Sequence, residues 1–201
     1  MTSMTPTVRA QHLLRRVGIA RTKELEEAGV SRTQIRRLVD TGIIERVGRG
    51  LYVLPEMPRT EHQDLAEATR RVPGGVICLL SALRFHGLTT QNPFEVWIAI
   101  DRKAWRPKIE HPPLRLVYLS EVGLHTGVEE HTTDSVTIHV FSAAKTVADC
   151  FKFRNKTGID VAVEALRDFH RLYPKGLNDL WAFAEVDRVT RVIQPYLESL
   201  G

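Results

Sequence analysis

The chain has 201 residues, of which 43% are hydrophobic and 26% charged, with a net charge of +4. That balance supplies apolar material for a packed core and excludes wholesale disorder. Uninterrupted apolar runs reach only five residues, as at Val76–Leu80, against the roughly 20 a membrane-spanning helix needs.

Residues 7–54 predict three short helices followed by a hairpin. The first covers about Val8 to Val17, with Ala10, Leu13, Leu14 and Val17 at helical spacing. The second covers about Lys23 to Ala28, with Thr22 as the expected N-cap. A tight turn through Gly29 leads to the third, about Arg32 to Thr41. Ser31 and Gln34 fit a capping box at its start, and Gly42 fits a left-handed residue at its end. Ile43–Val47 and Leu51–Leu54 are expected strands, joined by Gly48-Arg49-Gly50, where glycines suit a tight hairpin turn. Pro55-Glu56-Met57-Pro58 reads as a linker. The expected domains are therefore residues 1–58 and residues 59–201.

In the second domain, a helix is expected at about 61–72, then a strand at Val76–Leu80 running into a short helix at Ser81–His86. Strands follow at about 94–100, 114–119, 127–131 and 136–141. Helices are expected at about 143–155, 159–173, 177–186 and 188–200, with Pro195 interrupting the last. Thr157 and Asp160 resemble a capping box for the helix at 159–173. Strands grouped ahead of a run of helices predict an α+β domain with a mixed or antiparallel sheet, not alternating βαβ units.

Charge is unevenly spread. Residues 1–60 carry 11 Lys and Arg against 6 Asp and Glu, whereas residues 61–201 carry 17 against 18. A cationic segment of this kind points to a polyanionic partner, most often nucleic acid. No acidic residue precedes Glu24 and four arginines do, a pattern shared with organellar transit peptides. The same residues complete the three-helix pattern, which favours a folded domain, and no apolar stretch suits a secretory signal.

Helix, turn, helix and hairpin is the winged helix-turn-helix arrangement, whose third helix lies in the DNA major groove. At 100° per residue, Ile35, Leu38 and Val39 fall on one face and should pack inward. Thr33, Arg37 and Asp40 fall opposite, flanked by Gln34 and Arg36, with Arg32 in the first turn. Arginine can bond O6 and N7 of guanine, glutamine N6 and N7 of adenine, and threonine a thymine methyl or a phosphate. Arg32, Thr33, Gln34, Arg36 and Arg37 are the expected groove contacts. Arg46 and Arg49 in the wing are the expected backbone or minor-groove contacts. The plainer alternatives are a solvated basic helix face and a three-helix protein-binding module. Agreement of turn glycine, capping box, arginine-rich face and wing favours double-stranded DNA.

Nothing in the sequence carries a catalytic or metal motif. Cys78 and Cys150 form no CxxC pair, which leaves two buried thiols in a reducing, cytoplasmic setting as the expectation. His125, His131 and His139 lack the clustering of a metal site. Ser81 lacks the Gly-x-Ser-x-Gly elbow and is expected to cap a short helix. Lys145 and Asp149, four apart, suit a surface ion pair, with a catalytic pair in a cleft as the lesser alternative. Lys152, Arg154 and Lys156 could touch nucleic acid, and Trp97 and Trp105 flank Arg102-Lys103 as a possible stacking platform. A strand-edge core tryptophan beside a solvated loop is the plainer alternative. A metal-dependent enzyme would need carboxylates brought together, with Asp101, Glu110 and Asp134 as candidates. No catalytic residue, metal site or cofactor is expected.

Three segments in order also carry a resemblance. They are Val47-Gly48-Arg49-Gly50-Leu51-Tyr52-Val53-Leu54-Pro55; Ser81-Ala82-Leu83-Arg84-Phe85-His86-Gly87-Leu88-Thr89-Thr90 with Glu95-Val96-Trp97-Ile98-Ala99-Ile100; and Lys145-Thr146-Val147-Ala148-Asp149-Cys150-Phe151-Lys152-Phe153-Arg154-Asn155-Lys156. Across roughly residues 10–197 the chain resembles the AbiEi family of type IV toxin–antitoxin antitoxins. The resemblance implies a bacterial antitoxin that represses its own operon at promoter inverted repeats. It also implies a nucleotidyltransferase-like toxin as functional partner, countered by the second domain with or without a stable complex. It transfers no catalytic residues. An orphan winged-helix regulator with a ligand-sensing second domain is the alternative, and a nucleic-acid-processing enzyme a more distant one.

Overall fold

The computed structural model describes residues 4–56, 62–107, 109, 112–133 and 135–200. The chain divides into two compact units, Met1–Arg70 with Thr132–Ile138, and Arg71–His131 with His139–Gly201. The expected boundary at residue 58 lies outside the described residues.

The first unit begins with α1 (Pro6–Val17), capped by Thr5, whose Oγ1 accepts the Val8 N–H at 3.3 Å. Pro6 sits in the first turn, where its missing N–H leaves no bond unmade. Next come β1 (Ala20–Arg21), α2 (Thr22–Glu27) and α3 (Arg32–Asp40). Then β2 (Glu45–Gly48) and β3 (Leu51–Val53) form the wing, and α4 (Gln63–Arg71) follows. Strand β1 is too short to show an alternating pattern, so sequence reasoning does not find it. It joins the hairpin in a three-stranded antiparallel sheet of order β1-β3-β2, pairing Ala20 with Tyr52 and Arg21 with Leu51. Ala10, Leu14, Leu25, Val30, Ile35, Leu38, Ile44 and Leu54 form one buried core. Burial of each large aliphatic side chain contributes about 1.5–3 kcal/mol.

Thr22 is not the cap of α2. Arg21 holds that position in extended backbone, and its N–H donates to Glu24 Oε2 at 2.6 Å. Pairing of Arg21 in β1 fixes it as the last non-helical residue, which moves the helix start one residue earlier than a Thr22 cap would.

A mixed five-stranded sheet of order β6-β5-β4-β8-β7 follows, its Thr132–Ile138 segment counted with the first unit and the rest with the second. Its strands are β4 (Val76–Ile77), β5 (Val96–Asp101), β6 (Leu114–Leu119), β7 (Val128–Thr133) and β8 (Val136–Phe141). β5 runs parallel to β6 and antiparallel to β4, and β4 runs parallel to β8. The helices are α5 (Leu79–Phe85), α6 (Glu121–His125), α7 (Ala143–Lys152), α8 (Arg154–Thr157), α9 (Ile159–Leu172), α10 (Leu177–Val186) and α11 (Thr190–Glu198). Every residue of α7 from Ala143 to Phe151 is buried, because α5, α9 and α10 all pack on it. The expected α+β class, with an N-terminal helix-turn-helix and a C-terminal sheet with packed helices, is the one observed.

Several local expectations are corrected. The strand at Val76 ends at Ile77, and the helix starts at Leu79 with Cys78 as N-cap. Leu79 has φ +45°, a left-handed turn that sends the chain directly from strand to helix. A five-residue apolar run does not by itself distinguish strand from buried helix. Ser81 therefore lies inside α5, buried, with its Oγ accepting the Trp97 N–H at 2.9 Å. Thr157 does not cap α9. Gly158 (φ +97°) precedes that helix without a side-chain cap, while the Thr157 hydroxyl donates to the Phe153 carbonyl at 3.4 Å. Pro195 does not end the last helix, since α11 continues through it to Glu198.

Candidate nucleic-acid interface

The expected recognition helix is fixed at both ends by its own sequence. At its start the Ser31 N–H donates to Gln34 Oε1 at 2.8 Å, and the Gln34 N–H donates to Ser31 Oγ at 3.4 Å. This reciprocal box satisfies donors that the helix leaves unpaired. At its end Gly42 has φ +70°. Its N–H reaches Val39 O at 2.9 Å while the Ile43 N–H reaches Leu38 O at 2.9 Å. That is the Schellman exit, which only a residue free to adopt positive φ makes without strain. The turn before α3 needs Gly29 for its backbone, at φ +78°.

Ile35 and Leu38 face the core and Val39 is half-buried, as the angular sorting predicts. Arg32, Thr33, Arg36, Arg37 and Asp40 are exposed. Arg32 Nε donates to Glu26 Oε1 of α2 at 2.8 Å, and Arg36 Nε stands 4.0 Å from Asp40 Oδ2. Exposed pairs of this kind contribute about 0–1 kcal/mol, so an incoming phosphate or guanine can displace them. Arg37 has no ion-pair partner among the described residues. Gln34 is half-buried and its carbonyl is engaged in the cap, which leaves chiefly its amide group to face outward.

In the wing, Arg46 and Arg49 are both exposed. Arg46 Nε donates to Gly48 O at 3.1 Å, folding that side chain along its own strand. The register shifts between Arg46 and Gly48, a bulge that turns the hairpin tip. Gly50 (φ +70°) makes the turn and accepts the Thr22 N–H at 3.0 Å. Arg49 therefore sits at the tip with no ion-pair partner among the described residues.

One positioning element escaped the sequence analysis. Arg70 of α4 reaches back with Nη2 to both oxygens of Glu24, at 2.9 and 2.8 Å, and its Nε donates to Ile19 O at 2.9 Å. Arg21 Nη2 donates to the Arg70 carbonyl. α4 thereby fastens α2, the helix that precedes the turn. Neither the Arg21–Glu24 cap nor its distant partner Arg70 carries a sequence signal, since arginine is not a usual N-cap residue.

The other candidate clusters resolve differently. Lys145 and Asp149 are not a surface pair. Each is 1% exposed, and they bond to one another inside the second unit. Lys145 Nζ also lies 3.4 Å from Asp187 Oδ2, whose other oxygen accepts from Lys152 Nζ at 2.7 Å. Burial, with Asp187 close by, pushes the Asp149 carboxyl up to about 7. Asp187 is held below the usual carboxylate range: its bonds to Asp149, Lys145 and Lys152 outweigh its burial. Complete packing of α7 turned the expected surface positions inward. Asp187, just after α10, gave no sequence signal.

His131 Nε2 faces Glu129 at 3.1 Å and His139 Nε2 faces Glu130 at 3.3 Å, while His125 ends α6. Among the described residues no three His, Cys, Asp or Glu side chains gather as metal ligands. Asp101 accepts the Lys103 N–H at 2.7 Å; Glu110 and Asp134 lie outside the described residues. Trp97 is 6% exposed on β5, an interior strand rather than the expected edge, so it cannot stack on a ligand. Cys78 and Cys150 are free, buried thiols, and burial raises both well above the ordinary thiol range.

Residues 9–55 match the family described as transcriptional regulator, AbiEi antitoxin. The resemblance drawn from the residues is thus borne out over the winged segment. A crystal structure of the RV2827C protein from Mycobacterium tuberculosis is similar at a TM-score of 0.56 and 15% identity. The similarity covers 83% of this chain and 67% of that one. At that identity the likeness is one of fold. No curated protein matches the chain. No described helix is long and apolar enough to cross a membrane.

Proposed function

We propose that the protein is a cytoplasmic, non-enzymatic antitoxin that binds duplex DNA at its own promoter, represses its operon and counters a nucleotidyltransferase-like toxin. Residues 1–58 serve as the DNA-binding domain and residues 59–201 as the antitoxin domain. The observation that carries the reading is the outward face of α3. Arg32, Thr33, Arg36 and Arg37 all project to solvent from a helix locked at both ends, in a segment matching AbiEi antitoxin regulators. Arg32 in the first turn of the helix and Arg37 in its last turn are assigned to base edges. Thr33 and Arg36 are assigned to flanking phosphates or bases. Gln34 holds the cap and offers its amide to the groove. Arg46 and Arg49 take the backbone beside the groove.

An electrophoretic shift with the upstream promoter fragment tests the DNA half of this reading. Retardation at low salt, lost against scrambled duplex as salt rises, is the expected result. Relief of growth arrest on co-expression with a neighbouring nucleotidyltransferase-like gene tests the antitoxin half. A toxin unaffected by co-expression would remove that half and leave a regulator.

A ligand-sensing regulator is the second reading, favoured by one feature. A cavity of about 380 Å3 in the second unit is lined by Phe169, Tyr173, Phe183, Glu129 and Asp179, within the size range of small-molecule sites. A small molecule that changes promoter affinity would select this reading.

A further inference from the structure

Among the described residues of the second unit, Trp105 and Phe94 are the most exposed large aromatic side chains, and Trp105 the more exposed of the two. Trp105 is 96% exposed, in the loop that leaves β5. An indole of this kind leaves on the order of 150–250 Å2 of surface in water, which folding normally avoids. The residues around it are cationic: Arg102, Lys103, Arg106 and Lys108 occur within seven positions that contain no acid. In the same chain, residues 61–201 carry 17 basic against 18 acidic residues, so this concentration is local. Arg102, Lys103 and Arg106 are exposed and have no ion-pair partner among the described residues.

The loop is also anchored at its base. The Arg102 N–H donates to Leu119 O at 2.8 Å, the Ala104 N–H to Asp101 O at 2.9 Å, and the Lys103 N–H to Asp101 Oδ1 at 2.7 Å. Asp101 thus closes an Asx-type turn on the end of β5. The indole and its flanking cations are presented on a fixed stem.

We infer that the loop at residues 102–107 binds single-stranded nucleic acid, with Trp105 stacking on an unpaired base and Arg102, Lys103 and Arg106 meeting the flanking phosphates. Duplex bases already have both faces covered, so an exposed indole selects strands, ends or loops with a free base face. An anionic membrane is the rival occupant of a Trp-and-cation loop. Apart from Trp105 the described loop offers only Ala104 and Pro107 as non-charged side chains, too little apolar area to seat it in lipid. The contact is separate from the winged unit and does not depend on the promoter reading.

The test uses the full chain at low salt with labelled 12-nucleotide oligouridylate and oligothymidylate, read by fluorescence anisotropy. One stacked base is worth ~1–3 kcal/mol, so Trp105→Ala should weaken binding by between about fivefold and 150-fold. Trp105→Phe should restore most of it. Arg102→Ala should make the salt slope shallower by about 0.7. The two oligonucleotides distinguish RNA from DNA as the source of the bases. Promoter duplex affinity, measured alongside, should stay unchanged in Trp105→Ala, so failure of this site and failure of the winged interface register separately. Absence of binding to either strand, or equal binding by Trp105→Ala, overturns the inference. So does Trp105-dependent sedimentation with phosphatidylserine vesicles in place of strand binding.

Discussion

Replacing Asp149 by asparagine isolates the charge chemistry at the centre of the second unit. Asp149 is 1% exposed and lies against Lys145 and Asp187. Its carboxyl rises from 3.8 to about 7, first through burial and then through Asp187. The folded protein therefore holds a proton that the unfolded chain has released. A raised acid contributes stability that is fully present below the unfolded value and is lost as pH climbs through the folded one. One proton corresponds to about 1.4 kcal/mol per pH unit. Between about pH 4.5 and 6.5, wild-type stability should accordingly lose about 3 kcal/mol from this group. Asparagine cannot titrate, yet its amide can donate to Asp187 and its oxygen accept from Lys145. The variant should therefore gain about 3 kcal/mol relative to wild type across that window.

Other titrations in the unit do not obscure this difference. Asp187, held low by its partners, contributes stability that is lost only as pH falls below the ordinary carboxylate range. His86 is lowered by burial, so its contribution is lost as pH falls through its folded value. It opposes Asp149 within the same window but is common to both proteins. All three tryptophans, Trp97, Trp105 and Trp181, belong to the second unit, so urea unfolding followed by indole fluorescence reports on it selectively. Stability curves for wild type and variant that stay parallel from pH 4.5 to 6.5 would refute the reasoning.

Four further outcomes are expected. At about pH 8, where Asp149 is ionised, Lys145→Ala should destabilise the second unit by about 3–5 kcal/mol, because two buried carboxylates lose a shared cation; Lys145→Met combined with Asp149→Leu should cost less, as urea midpoints will show. Arg37→Ala should weaken promoter binding by about 1–3 kcal/mol and relax preference at one base pair, whereas an equal loss on scrambled duplex would make Arg37 a phosphate contact. Arg49→Ala should flatten the salt dependence of duplex binding by a slope of about 0.9, and an unchanged slope in a salt titration would take the wing tip out of the interface. Ser31→Ala should cost about 0.5–2 kcal/mol in stability through the lost cap, measured by thermal unfolding of the first unit.

The winged segment was legible because its signals are local. Ser31 and Gln34 are three residues apart, Gly42 follows its helix directly, and Ile35, Leu38 and Val39 recur at helical spacing. Each constraint acts within one turn, so the sequence displays it without the fold. The α+β class followed from the same kind of evidence, the order of periodic segments. Boundaries slipped where a tertiary partner decided them. Pairing of Arg21 with Leu51 moved the start of α2, and the positive φ of Leu79 cut a five-residue apolar run into strand and helix.

What stayed hidden depended on contacts distant in the chain. Lys145 and Asp149 look like a surface pair because i,i+4 charges on an isolated helix normally face water. They are buried because α5, α9 and α10 close over every side of α7, and Asp187, 42 residues from Lys145, supplies the additional acceptor. Arg70 holds Glu24 across 46 residues by the same logic. A charged residue's spacing therefore reports its neighbours on the helix but not its depth. Depth comes from how many elements pack on that helix, and here the central place of α7 turned a polar-looking stretch into part of the core. The same reasoning separates Trp97 from Trp105. An interior strand buried the first, while an anchored turn after that strand left the second in solvent, in a loop with Arg102, Lys103 and Arg106.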